Sequence, residues 1–364
     1  MTKLLTMIAA FFAAITATFA PGEQTTPTGG PPPHVVVAPP PAPAELVQEL
    51  RALGEGFDGK AGIAIRDVQT GWTADFNGDG LFPQQSVSKL WVALATFEDI
   101  DRGHGALDNQ VLIQKKDLSV FHQPLRAKVD HDGYVATVDE LLTLALAKSD
   151  NAAADILMRR AGGGEAVQQV IDDKKLGAIR AGTEQRLLQS KIAGMNWRPE
   201  YAIDWGFQYA RAELPDDYRK ARLDAYVADP DDGASPVAIV EALARLKKGQ
   251  LLSPASTQRM LAIMSDTDTG RSRLRAGVPE GWTVAHKTGT GQELNARVTG
   301  WNDVGLLTAP GGRTYAVAVM IAETTAPGGA RNALFQNVAR MVVKFHEQRF
   351  PPQQQAATEE KKAA

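Results

Sequence analysis

Three short strings stand in a fixed order along the chain: Ser86-Val87-Ser88-Lys89, Ser149-Asp150-Asn151 and Lys287-Thr288-Gly289-Thr290. The first sets a hydroxyl and an amine three residues apart. Gln84-Gln85 precede it and the apolar run Leu90-Trp91-Val92-Ala93-Leu94-Ala95 follows, so the spacing predicts a helix with Ser86 at or near its first turn and Lys89 on the same face. At a helix start, free backbone N–H groups and the positive end of the dipole favour a developing negative charge. A serine hydroxyl is a weak nucleophile until a base removes its proton, and a lysine partly buried among other cations can have its pKa lowered enough to serve. A Ser-x-x-Lys string alone is expected about once by chance in such a chain, and each of the other two well under ~0.1 times. The trio carries the signal; its first member alone does not.

Lys287-Thr288-Gly289-Thr290 closes an apolar strand that starts at Trp282. Gly289 leaves a flat edge for an extended, peptide-like substrate, and Lys287 with the hydroxyls of Thr288 and Thr290 offers cationic and donor groups to its carboxylate. Arg297, on the next strand, is a candidate second cation, with an ordinary surface ion pair as the alternative. Phe121 is a candidate rim aromatic, with core packing as the alternative. Thr137-Val138-Asp139-Glu140 reads as a capping box that opens a helix to Lys148, so Ser149-Asp150-Asn151 falls in an inter-helix turn, where Ser and Asn are also good caps.

These strings resemble those of the class A β-lactamases, within the penicillin-recognising serine hydrolases. The resemblance implies that Ser149 relays a proton to the leaving ring nitrogen, that Asn151 binds the substrate's side-chain amide, and that the N–H groups of Ser86 and Thr290 form the oxyanion hole. It implies a serine hydrolase that opens the β-lactam ring of penicillins and cephalosporins through an acyl-Ser86 intermediate. A D-Ala-D-Ala peptidase or transpeptidase with slow release, and a non-catalytic sensor of the same fold, are the competing readings.

One part of the family pattern is altered. Class A enzymes carry a deacylating Glu in an E-x-x-L-N string about 34 residues past the S-D-N asparagine, a count that falls here on Gln185. Leu188-Gln189 matches the L-N pair in that register, whereas the register one residue earlier keeps a carboxylate at Glu184 and loses the amide. A neutral amide cannot take a proton from water. Asp155, four residues after Asn151, would form a satisfied hydrogen bond beside Gln185, or would raise a carboxylate pKa beside Glu184. Glu184, Gln185 and Asp155 thus stay open as the deacylating group. Beyond Gln189 an insertion, residues 190–228, holds Trp197, Tyr201, Trp205, Tyr209, Tyr218 and Tyr226, and is expected to pack over the site's edge as a lid.

The elements that must position these residues follow from periodicity. Ala44 to Leu53 reads as a helix, Ala61–Val68 and Trp72–Phe76 as a hairpin, Ser86 to about Met264 as mainly helical, and Trp282–Lys287, Arg297–Leu307 and Thr314–Ala322 as three strands before a helix at Asn332–Glu347. This order suits an α/β chain of the α+β type: an antiparallel five-stranded sheet flanked by helices, with an all-helical lobe inserted between its second and third strands. The same layout is what the resemblance implies for a catalytic domain at 44–350.

The ends are different. Met1-Thr2-Lys3 and the apolar run to Ala20 read as a secretory signal, residues 21–43 as a Pro-rich linker and 351–364 as a disordered tail. Export to the periplasm is expected. The chain has no cysteine, hence no disulfide, thiolate nucleophile or lipid-bearing cysteine. A formal net charge of -3 with both signs interspersed gives no basic stripe for nucleic acid. The six histidines make no metal-ligand cluster, so neither metal nor cofactor is expected, and the partner is a small-molecule β-lactam or D-Ala-D-Ala peptide bound by a monomer.

Overall fold

A computed structural model describes residues 38–351. The expected signal, most of the expected linker and the tail beyond 351 lie outside the described residues. Pro43 precedes helix α1 (Ala44–Glu55), which leads into the hairpin β1 (Lys60–Asp67) and β2 (Thr73–Phe76). Strand β3 (Phe82–Pro83) and a 3-10 turn at Gln85–Ser88 run into α2 (Lys89–Asp101). The lobe continues through β4 (Gln110–Ile113), β5 (Tyr134–Thr137), α3 (Val138–Leu146), α4 (Asn151–Arg160) and α5 (Gly164–Asp173). Then come α6 (Gln185–Ala193), α7 (Gly206–Ala212), α8 (Asp216–Ala228), β6 (Gly233–Ala234), α9 (Pro236–Lys247) and α10 (Pro254–Ser265). Strands β7 (Thr283–Thr290), β8 (Glu293–Leu294), β9 (Arg297–Thr308) and β10 (Thr314–Thr324) precede the closing helix α11 (Gly328–Arg349).

The main sheet runs β2-β1-β10-β9-β7, with the two-residue β8 pairing on β9, so the expected five strands gain a short sixth. Every pairing in it is antiparallel. Central strand β10 shows why both faces are covered. Tyr315, Val317, Val319 and Ile321 point to a core with Leu50 of α1 and Phe335, Val338 and Val342 of α11. The alternate residues Ala316, Ala318, Met320 and Ala322 point to the lobe's core with Leu90 of α2 and Leu243 of α9. Large side chains on one face and mostly alanine on the other let the lobe helices approach the sheet closely.

Helix α2 begins at Lys89, the last residue of the Ser86-Val87-Ser88-Lys89 string. It is buried from Lys89 through Phe97, as its nearly unbroken apolar run requires. Helix α3 starts as expected, with Thr137 Oγ1 accepting from Glu140 N at 3.1 Å, but the Glu140 carboxylate turns to Lys128 and Tyr134, so only half of the capping box forms. Helix α4 is capped by Asp150, whose Oδ1 accepts from Ala153 N at 2.9 Å, and not by Ser149 or Asn151. That frees the two flanking side chains for the cleft.

Candidate active site

The three strings meet in a cleft of about 470 Å³, between the end of β7 and the lobe, that Ser86, Ser149, Asn151, Thr288 and Thr290 help to line. Ser86 sits in the 3-10 turn that feeds α2. Lys89, one turn on, is 1 % exposed, and its Nζ donates to Ser149 O at 2.6 Å and Asn151 Oδ1 at 2.6 Å, with Ser149 Oγ at 3.5 Å. Burial brings the Lys89 pKa down to about 7, against the opposing pull of Asp150 and Asp155. Lys287, equally buried, donates to Ser149 Oγ at 2.8 Å and to Thr288 O at 3.0 Å. Burial first, then the nearby Lys89, holds its pKa well below the usual lysine value. Two desolvated amines thus flank one hydroxyl.

Gln85 (φ 54°), just before Ser86, and the cleft-lining Phe121 (φ 59°) and Ser149 (φ 60°) are left-handed without being glycine. Such backbone costs about 1–3 kcal/mol each and persists only when its surroundings fix it. Asp232 Oδ2 accepts from Gln85 N at 2.7 Å, and Lys89 holds the Ser149 carbonyl. Asn151 takes Val120 O through its side chain at 2.8 Å and His122 O through its N–H at 2.9 Å, pinning both neighbours of Phe121. Asn151 is therefore a scaffold as well as a cleft residue. Gly289 has a packing reason too: a Cβ there would lie 2.3 Å from Gln84 O and 3.0 Å from Asn302 Nδ2. The close approach of the nucleophile's segment already requires glycine at this strand position.

The altered loop resolves into three different surroundings. Gln185 lines the cleft, buried, with Nε2 3.4 Å from Ser88 Oγ. Glu184 precedes α6 and is paired with Arg159 and Arg186, outside the cleft-lining set. Asp155 is buried and holds the start of α6: it accepts from Gln185 N, from Arg186 N at 3.1 Å and from Ser119 Oγ at 2.7 Å. Burial raises its pKa to about 6, with these hydrogen bonds opposing. Asp155 thus supports the start of α6 through backbone N–H groups, while the charge of Glu184 adds to the rise in its pKa. Gln189 and Gln292 complete an amide chain, Gln292 Nε2 to Gln189 O at 2.8 Å and Gln189 Nε2 to Gln85 Oε1 at 2.7 Å.

Arg297 is not a cleft cation. At the start of β9 it is bound by Asp224 and Glu323, the ordinary ion-pair alternative. One arginine that does line the cleft is Arg273, from the loop before β7, which donates to Thr290 Oγ1 at 2.8 Å and Gly289 O at 3.1 Å and stacks 4.1 Å from the Trp301 ring centroid. Burial lowers its pKa to about 10, so it stays charged at neutral pH. Phe121 is on the rim, half-buried, and packs edge-on against Phe207 at 4.8 Å.

The insertion reaches the cleft through α7, by way of Arg211 and Phe207. Of its six tyrosines and tryptophans named above, Tyr226 is buried, Trp197 and Tyr201 are half-buried, and Trp205, Tyr209 and Tyr218 are exposed. Aromatic content therefore overstated how much of the segment packs. Arg273, Arg211, His122 and Gln292 each come singly from loops or short elements, so no spacing in the sequence marks them.

Serine, two desolvated lysines and a second hydroxyl form a site for acyl transfer through serine. The sequence matches the model described as "Beta-lactamase enzyme family" over residues 45–346, and the chain belongs to that family. Among curated relatives, β-lactamase VEB-1 of Pseudomonas aeruginosa is 27% identical over 288 residues, covering 79% of this chain and 85% of its own. A β-lactamase structure from Chitinophaga pinensis is 28% identical with a TM-score of 0.68, covering 83% of this chain and 99% of its own. A variant of the class A β-lactamase of the last common ancestor of Gram-negative bacteria is 30% identical with a TM-score of 0.65, covering 84% of this chain and all (100%) of its own.

Proposed function

We propose that the protein is a serine β-lactamase. The carrying observation is the Lys89 amine, buried with a pKa near 7, one helical turn from Ser86 and in contact with Ser149. Neutral Lys89 takes the proton of the Ser86 hydroxyl while Oγ bonds to the lactam carbonyl carbon. The N–H groups of Ser86 and Thr290 stabilise the oxyanion. The ring C–N bond then breaks, and Ser149 Oγ, held by Lys287, passes its proton to the departing nitrogen while protonated Lys89 returns one to Ser149. Arg273, Thr288 and Thr290 hold the substrate carboxylate, and Asn151 with Phe121 the acyl side chain. Water then attacks the ester carbonyl, the bond to Ser86 breaks, and the proton given up by the water goes to the Ser86 oxygen. In sum, one water is added across the lactam C–N bond.

Release is the slow half in this reading, because the side chain that this loop brings to the cleft is Gln185, an amide. The leader at residues 1–20 supports export, and no helix among the described residues is long and apolar enough to cross a membrane. The test is to mix the protein with a chromogenic cephalosporin and follow colour and intact mass together. Colour release with a transient adduct on Ser86 supports the reading. Ser86→Ala must abolish the adduct; a Ser86→Ala protein still labelled elsewhere assigns the nucleophile wrongly.

A further inference from the structure

We propose that Arg211 is a specificity residue that selects acyl donors with a second carboxylate, carried on the acyl side chain; this rests on the serine-acylation reading above. Phe207 is fully buried against Val120 and Ala193 and packs edge-on with Phe121. Arg211, four residues on, shares that face of α7. Its guanidinium lies 5.5 Å from the Phe121 ring centroid, and its Nη1 donates to Gln292 Oε1 at 3.0 Å. The side chain thus crosses the cleft from the lobe's rim to the sheet's edge, and its base is locked by packing.

Its charge has no acidic partner of its own. No carboxylate pairs with it among the described residues, although its neighbours on α8, Arg219 and Lys220, each have one. Burial lowers its pKa, Arg219 adds to that, and Glu293 opposes it. Glu293, the one carboxylate lining the cleft among the described residues, is exposed and turned to Arg331 at 3.8 Å. A guanidinium offers five donors in a planar fork suited to a carboxylate, and the single bond to Gln292 leaves most of them open.

Two cationic ends result. Arg273 with Thr288 and Thr290 serves the carboxylate next to the scissile ring, and Arg211 lies over Phe121, whose neighbours Asn151 holds. A donor with one carboxylate at each end matches both.

The test measures second-order acylation of Ser86 by mass spectrometry, for a phenylacetyl penicillin and for the same penicillin with a carboxylate on the side-chain α-carbon. Acylation is the readout, so slow release does not interfere. The carboxylated-to-neutral rate ratio is expected to fall about tenfold or more in Arg211→Gln. Arg211→Lys, which keeps the charge, should retain most of the ratio, and added salt should shrink the difference. An unchanged ratio in Arg211→Gln overturns the proposal, as does an equal loss for both penicillins, which would make Arg211 part of the wall only. If neither penicillin labels Ser86 in the unsubstituted protein, the acylation reading fails and takes this proposal with it.

Discussion

Next to the Ser86 turn, two lysines are buried beside the Ser149 hydroxyl with their charges disfavoured; elsewhere along the cleft, at Gln185, the nearby carboxylates are committed, Glu184 to two arginines and Asp155 to two backbone N–H groups and a hydroxyl. Burial works on both regions with opposite results. It brings the Lys89 pKa down to about 7, which suits the base of the proposed reaction, whereas it raises that of Asp155 to about 6 at a carboxylate that holds the start of α6, with an amide lining the cleft beside it. Acylation and release, which share one serine, therefore rest on separable groups, one well equipped and one not.

The sharpest way to break this contrast is to put a carboxylate where the amide stands. Gln185→Glu should speed release of the acyl group about a hundredfold or more, the usual contribution of a positioned general base, as read by loss of the mass adduct over time. Glu184→Gln should leave release nearly unchanged. If Glu184→Gln traps the adduct and Gln185→Glu does nothing, the base is Glu184. A smaller effect belongs to the other region. With Lys89 titrating near 7, acylation should hold level above that pH and fall about tenfold per unit below it, as the amine takes up its proton. A profile flat from pH 5 to about 8 would remove Lys89 from proton transfer. Smallest in its effect on rate is the insertion's wall. Phe207→Ala should cost about 3 kcal/mol of stability, seen as a lower melting temperature, and shift acylation of bulky against small β-lactams by a few-fold. Equal change for both sizes would leave Phe207 a purely structural residue and the insertion no lid.

What could be read from the sequence divides along the same line. The Ser86, Ser149 and Lys287 strings are local: a helix turn, a cap and a strand end each bring their own residues together, so contiguity revealed them. The sheet's strands were legible because β10 and β9 are apolar and bounded by glycine-rich turns. The cleft's arginines were not. Arg297 has the right charge in a neighbouring strand, but Asp224 of α8 and Glu323 of β10 approach it there, and that meeting depends on an insertion whose path no periodicity gives. Gln185 and Glu184 are adjacent where the chain turns into α6, so a single residue of register exchanges cleft for ion pair. Asp155, which anchors that turn through backbone N–H groups, lies 30 residues away along the chain.

Tyr226 sits at the far end of the insertion, and its hydroxyl donates to Asp232 Oδ1 at 2.8 Å and accepts from Gln85 Nε2 at 2.8 Å. Gln85 is the left-handed residue just before the nucleophile. Residues 190–228 look like a detachable cassette on paper, yet their last turn is bolted to the hinge of the reactive serine. An engineer who wanted a minimal scaffold, or a graft of this loop onto another one, would have to treat α8 as belonging to the host and only the stretch around α7 as cargo. By the same logic, changes of length between α6 and α8 should be tolerated better than changes within α8.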